Sequence, residues 1–195
     1  MQTDKLNCKI VTPVIRCSYP KIAEPDSPER GGKFGLSIPL PKSDEKACAA
    51  LKQAMSNAAV NTWGEKYRGL GGITHFVVDC DEDPEMDNDP VYKGCLKFSA
   101  KSKRRPGVIF PNKEPVPVER LEDVVYAGCW IRASITAYGT ETGGKKTVAF
   151  ALNNIMFVMD GEPLSGGGSA VDDFAEYTDE NWAPGGENAD NIDLF

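Results

Sequence analysis

The sequence contains a single histidine, His75, and none of its six cysteines stands in a CxxC pair. A Ser–His or Cys–His catalytic arrangement would have one candidate base with no motif around it. A zinc cluster would need Cys8, Cys17, Cys48, Cys80, Cys95 and Cys129 to converge without ligand spacing. We read them as reduced thiols that pack as small hydrophobes. No GxxxxGK[ST] phosphate loop is present, and Gly166-Gly167-Gly168 does not lie between a strand and a helix. No apolar run approaches the roughly 20 residues that cross a bilayer. Met1 to Lys9 is polar and charged, unlike a signal peptide. These absences predict a cytosolic protein that needs no cofactor or metal and is no enzyme. Residues 160–195 also lack any lysine or arginine.

That last absence changes the meaning of the net charge. The formal charge of −7 comes from 22 Lys+Arg against 29 Asp+Glu, a balance that by itself argues against a nucleic-acid partner. Ten of the acids lie in residues 160–195, leaving 19 acids against all 22 bases before them, a net of +3. Seven more crowd into Asp79–Asp89, and without that stretch the remaining body is +10. A basic body with one acidic loop and an acidic tail points to an anionic partner for the body.

Periodicity gives a mostly β protein. Lys5 to Tyr19 is rich in β-branched residues and broken at Pro13, which cannot donate to a ladder. Phe34, Leu36, Ile38 and Leu40 share one face of a strand. One helix is expected after Pro41, with Ser43 as cap, Asp44 and Glu45 favoured by the helix dipole, and an apolar stripe of Ala47, Ala50, Leu51, Ala54, Met55 and Ala58 running to about Asn61. Tyr92–Ala100 is a further strand, and 106–111 is extended. Cys129–Tyr138 and Thr147–Val158 form a pair joined by a Gly-rich loop from Gly139 to Lys146. From about residue 165 the composition is too polar to offset its ordering entropy, so disorder is expected. Five or so strands and one helix suit a small barrel or a sandwich.

Two constellations could carry function. Residues 93–113 hold Lys93, Lys97, Lys101, Lys103, Arg104, Arg105 and Lys113 and no acid. The first three are four apart, so on a strand they form one cationic stripe, with Leu96, Phe98 and Ala100 opposite. Such a stripe suits a phosphate backbone, whose counterions it releases, though it also suits a lysine-guarded edge strand. In Cys129–Tyr138 one parity is apolar, and the other presents Trp130, Arg132, Ser134, Thr136 and Tyr138. Trp130 and Tyr138 could stack bases or pack structurally. Phe34, Phe98 and Phe150 share parity with aliphatics and read as core. Trp63, Tyr67 and Arg68 read as packing over the helix end. The acidic loop lacks the EF-hand's Gly at position six and Glu at position twelve, where Pro84 and Pro90 stand. It leaves open a metal-dependent nuclease using Asp79, Asp81 and Asp83. The chain's end, Asp190-Asn191-Ile192-Asp193-Leu194-Phe195, sets apolar residues in an acidic tail, which suits a partner with an apolar pocket and basic rim.

The combination Val91-Tyr92-Lys93-Gly94, Ala100-Lys101-Ser102-Lys103, Arg105-Pro106-Gly107-Val108, Tyr126 to Ser134, Leu152-Asn153-Asn154-Ile155 and Asp160-Gly161-Glu162-Pro163-Leu164, with Phe34 to Asp44 before it, resembles the bacteriophage single-stranded DNA-binding proteins, a group formerly known only as a domain of unknown function. The resemblance covers about residues 5–175. It implies an OB fold, a five-stranded barrel binding single strands across one face, with an acidic tail. The acidic Asp79–Asp89 loop departs from the family's shorter stretch. The resulting expectation is an OB-fold domain over 1–164 with one inserted helix, and a disordered acidic tail over 165–195. Lys93, Lys97, Lys101, Lys103, Arg104, Arg105, Trp130, Arg132 and Tyr138 would bind single-stranded DNA independently of sequence in phage replication or recombination, in the cytoplasm of the infected host. Asp190, Ile192, Asp193, Leu194 and Phe195 would recruit phage or host replication proteins.

Overall fold

The computed structural model describes residues 5–164, and the expectations for the tail, Asp190 to Phe195 among them, lie outside these residues. The strands are β1 (Lys9–Val11), β2 (Ile15–Arg16), β3 (Ser18–Lys21), β4 (Phe34–Pro41), β5 (Thr74–His75), β6 (Val78–Asp79), β7 (Cys95–Ser102), β8 (Gly107–Ile109), β9 (Trp130–Thr142) and β10 (Lys145–Met159). The helices are α1 (Glu45–Trp63) and α2 (Leu121–Val124). Among the described residues no helix is long and apolar enough to cross a membrane.

Three short strands at the start act as one. The segment β1–β3 pairs with β9 along its first half, Lys9 opposite Thr136 through Arg16 opposite Trp130. It pairs with β4 along its second, Ser18 opposite Ser37 and Lys21 opposite Gly35. The ring then runs from β4 to β7, β10 and β9. Counting β1–β3 as the first strand, the order is the closed 1-2-3-5-4-1 circuit of an OB barrel. The break at Pro13 is repaired locally: Thr12 uses its backbone to donate to Ala133 and its hydroxyl to accept from Ala133 N–H, at 2.9 Å each.

The core follows the predicted parity. Ile131, Ala133, Ile135 and Ala137 of β9 meet Val148, Phe150, Leu152 and Ile155 of β10, with Leu36, Ile38, Leu40, Phe98 and Ala100 closing the interior. Phe98 and Phe150 pack with centroids 4.6 Å apart. Helix α1 closes one side through Leu51, Ala54, Met55 and Ala58, while Ala50 faces solvent. Asn57 and Asn61, one turn apart, hold the incoming chain by bonds to the Asn7 carbonyl and to both backbone groups of Leu6. The helix cap is Asp44, whose carboxylate accepts from Ala47 N–H, and not Ser43.

Four further expectations need correction. The β9–β10 connection is no long loop: Thr142 pairs with Lys145 around a two-residue turn at Gly143 and Gly144, both at positive φ (58° and 76°), the tight hairpin geometry that glycine pairs permit. Strand β7 begins at Cys95, because Gly94 takes φ +73° and ends the preceding turn. Lys93 is therefore off the strand. A second helix, α2, joins the one expected. Phe34 is half-buried, with the Arg105 guanidinium 5.3 Å from its ring centre.

The chain after β10 straps back across the start of β9. Leu164 N–H donates to the Ala127 carbonyl, and Arg16 donates to the Glu162 carbonyl at 2.6 Å. Gly128 makes this approach possible: its φ is +115°, and a Cβ there would lie 2.1 Å from the Glu162 oxygen. Gly128→Ala should lower stability by about 1–3 kcal/mol from backbone strain alone, with the clash adding to it. Denaturant unfolding of the purified variant checks this, and an unchanged midpoint would contradict the strap.

Candidate nucleic-acid interface

The β7 and β10 strands touch over only two parallel rungs, Ala100 with Phe150 and Lys101 with Ala151. Before those rungs they diverge. The segment after the glycines at 69, 71 and 72 crosses the gap: β5 runs parallel to β10 at Thr147–Val148, and β6 antiparallel to β7 at Leu96–Lys97. The result is a groove with a cavity of about 500 Å³, floored by Phe98, Val148 and Phe150. Its walls carry Lys33, Lys97 and Lys101 beside Phe76 and Tyr138. Phe76 is 66 % exposed and Tyr138 41 % exposed, so two aromatic faces stand in water among three ammonium groups.

Parity placed Lys97, Lys101 and Tyr138 correctly, and the structure brings the three into this one groove. Phe76 and Lys33 were missed. The run Ile73-Thr74-His75-Phe76-Val77-Val78 is β-rich, a sign of a strand, but its two-residue strands are too short for a period that reveals which side chain faces out.

The other predicted residues sit elsewhere. Lys93 and Trp130 line a second recess with Arg16, Pro39, Pro41 and Lys42. Trp130 is half-buried, with the Arg16 guanidinium 5.1 Å from its ring centre and Gly161 against its pyrrole edge. Arg132 faces outward on β9 and donates to the Thr12 carbonyl at 3.3 Å. Lys103 and Arg104 are exposed in the bend after β7, and Arg105 is bound to the Ala23 carbonyl at 2.8 Å. Trp63 and Tyr67 pack edge to face, 6.1 Å apart, as the helix-end reading expected.

The acidic loop is a folded cap. Lys42 Nζ lies 2.6 Å from Asp79 and 2.5 Å from Asp81, and Asp81 also accepts from Gly94 N–H at 2.7 Å. Hydrogen bonding to both carboxylates holds the Lys42 ammonium well above its usual pKa, and Lys42 holds Asp81 below its own. Asp83 and Asp89 accept from Glu85 and Val91 N–H within the loop. Among the described residues no three His, Cys, Asp or Glu side chains converge. The loop instead sends Met86 into the groove, 3.7 Å from Lys97 Nζ. Among the described residues the salt bridges involve Lys42, Arg68 and Lys146 only, leaving the groove's lysines free of carboxylates.

Known proteins resemble this chain in sequence and in fold. Protein p50 of Acyrthosiphon pisum secondary endosymbiont phage 1 is 29 % identical over 173 residues, covering 84 % of this chain and 91 % of that protein. The solved single-stranded DNA-binding protein of bacteriophage Enc34 in complex with single-stranded DNA superposes with a TM-score of 0.69 at 23 % identity, covering 80 % of this chain and 89 % of the other. The gp2.5 single-stranded DNA-binding protein of bacteriophage T7 superposes at 0.56 with 16 % identity, covering 91 % and 98 %. At these identities the two structures establish the fold alone. The family model described as the Enterobacter phage Enc34 single-stranded DNA-binding protein matches residues 8–183, and the chain therefore belongs to that family of DNA-binding proteins, not to a family of enzymes.

Proposed function

We propose that this protein binds single-stranded DNA without sequence preference, through the groove between β7 and β10. The observation that carries this is the joint placement of Lys33, Lys97 and Lys101 with the exposed rings of Phe76 and Tyr138. A single strand offers phosphates on one side and unpaired base faces on the other, and the groove supplies a partner for each. Base identity is read by side chains that pair with base edges: Arg, Lys, Asn, Gln, Asp, Glu, Ser and Thr. Of these the groove lining holds only Lys33, Lys97, Lys101 and Ser99, so stacking and charge dominate. Lys93, Arg16 and Trp130 in the neighbouring recess, together with Lys103, Arg104, Arg105 and Arg132, extend the cationic surface along which the backbone runs.

The role that suits such binding is protection and presentation of single strands during phage DNA replication or recombination, in the cytoplasm of the infected cell. In this reading the acidic tail, with Asp190, Ile192, Asp193, Leu194 and Phe195, recruits replication proteins. Its support is compositional: ten acids without a base from residue 160 on, ending on Leu194-Phe195.

Neutralising about 4–6 phosphates should give a slope of log K against log salt of about −3 to −4. Fluorescence titration of an oligonucleotide at several salt concentrations measures it, and a slope near zero would exclude this mode of binding. Phe76→Ala and Tyr138→Ala should each weaken binding by about 1–3 kcal/mol with little change in melting temperature, since both rings are exposed. Unchanged affinity in both would remove the groove from the binding site. Deleting residues 188–195 should leave DNA affinity intact or raised while abolishing a partner contact in a pull-down with replication proteins. Loss of DNA binding on truncation would contradict the tail's assigned role.

A further inference from the structure

The outer surface beside the groove carries a backbone conformation that its packing does not explain. Tyr19 has φ +46°, a left-handed value that is an outlier for a bulky residue. The following Pro20 favours extended backbone at position 19, so local preference does not produce the turn. Tyr19 lies where the β3–β4 register shifts between Ser18 and Lys21, and such bulges re-aim side chains. A strained aromatic is usually held by burial. Tyr19 is 69 % exposed, the highest value among the large apolar side chains that face solvent in the described residues.

The surroundings of the ring indicate its use. Lys97 Nζ lies 5.9 Å from the Tyr19 ring centre and 4.5 Å from that of Tyr92. Tyr92 is only 5 % exposed and its phenol is hydrogen-bonded to the Ser18 hydroxyl. The residue next to Tyr19 is thus fastened to a buried ring, and that ring in turn sits against Lys97. Lys97 is also a wall of the β7–β10 groove. One ammonium therefore belongs both to the groove and to the Tyr19 site.

We propose that Tyr19 is a further base-stacking platform: the single strand leaves the groove at Lys97, passes over the outside of β4, and stacks a base on the exposed Tyr19 ring while Lys97 binds the intervening phosphate. This rests on the groove reading above and lengthens its path across the sheet. Tyr19 stands on β3, separated from the β7 wall of the groove by β4. Tyr19, Phe76 and Tyr138 then form three platforms separated by lysines. The strain at position 19 holds the first of them away from the ladder, where a base can reach it.

The test is an anisotropy titration of a labelled oligo-dT of about 20 nucleotides at fixed salt, with a thermal melt of each variant. Tyr19→Gly removes the ring and relieves the positive φ, so it should melt at or above the native temperature. It should bind about 5- to 150-fold more weakly, the loss of one stacked base. Tyr19→Phe keeps the stacking face and should bind like the native protein. If Tyr19→Gly binds normally while Tyr138→Ala and Phe76→Ala are weakened, the platform is overturned and the groove stands. If all three bind normally, the groove reading fails as well. Photo-cross-linking of 5-iodouracil DNA to the native protein gives a readout that needs no variant. A cross-link mapped to Tyr19 supports the proposal, and cross-links confined to Phe76 and Tyr138 overturn it.

Discussion

The barrel's closure depends on a short parallel seam along β10. The first strand, broken into β1–β3, is shared between β9 and β4 and seals one side of the ring over many residues. The opposite side is sealed where Ala100 and Lys101 meet Phe150 and Ala151 and, further along β10, where β8 meets Asn154 to Met156. Elsewhere β7 and β10 separate, and a barrel seam that opens exposes unpaired backbone unless other chain covers it. The short strands β5 and β6 provide that cover, one on each lip. Phe76 sits between them, so the same crossing that protects the seam also presents a ring to solvent. The groove is a consequence of how the sheet closes.

Charge is partitioned by the same architecture. The acidic loop could cancel the cationic face of β7 if its carboxylates were loose. They are not: Asp79 and Asp81 are drawn onto Lys42 at the end of β4, and Asp83 and Asp89 bond to their own loop. What the loop offers Lys97 is the sulfur of Met86 and no carboxylate. Lys97 itself is steered by the faces of Tyr92 and Tyr19, cation–π contacts that orient an ammonium without neutralising it. The body keeps free positive charge beside an acidic segment, with Asp79, Asp81, Asp83 and Asp89 each held by a partner of its own.

These points mark what could be seen in the residues alone. The alternation of β9 was legible because both sides of the pleat have distinct chemistry: Ile131, Ala133, Ile135 and Ala137 against Trp130, Arg132 and Tyr138. The Lys97–Lys101 pair was legible for the same reason. Lys93 was misplaced because Gly94 turns the chain between it and the strand, and a four-residue spacing does not register that turn. The two-residue turn at Gly143–Gly144 was readable from the glycine pair, but the hydrophobic pattern fades before the strands end, which made the loop look longer. Phe76 and Tyr19 were hidden for different reasons. Phe76 gains its position from strands in distant parts of the chain, and Tyr19 from a left-handed backbone that no propensity for tyrosine suggests.

The two aromatic–cation sites differ in what holds them, and this bears on the proposed binding of strands irrespective of sequence. Trp130 is wedged between the Arg16 guanidinium and the Gly161 backbone, with Arg16 itself tied to the strap by the Glu162 carbonyl. Its ring is fixed and partly used. Phe76 and Tyr138 are supported from beneath by the groove floor and free on their outer faces. A base can approach such rings in several orientations, because stacking constrains the plane and not the edge. The lysines around them have long stems and point charges, which follow a phosphate over some distance without demanding one geometry. Rigid floor, open rings and flexible ammonium groups together suit the proposed binding of a strand of any sequence, and the rigidity is supplied by the barrel core.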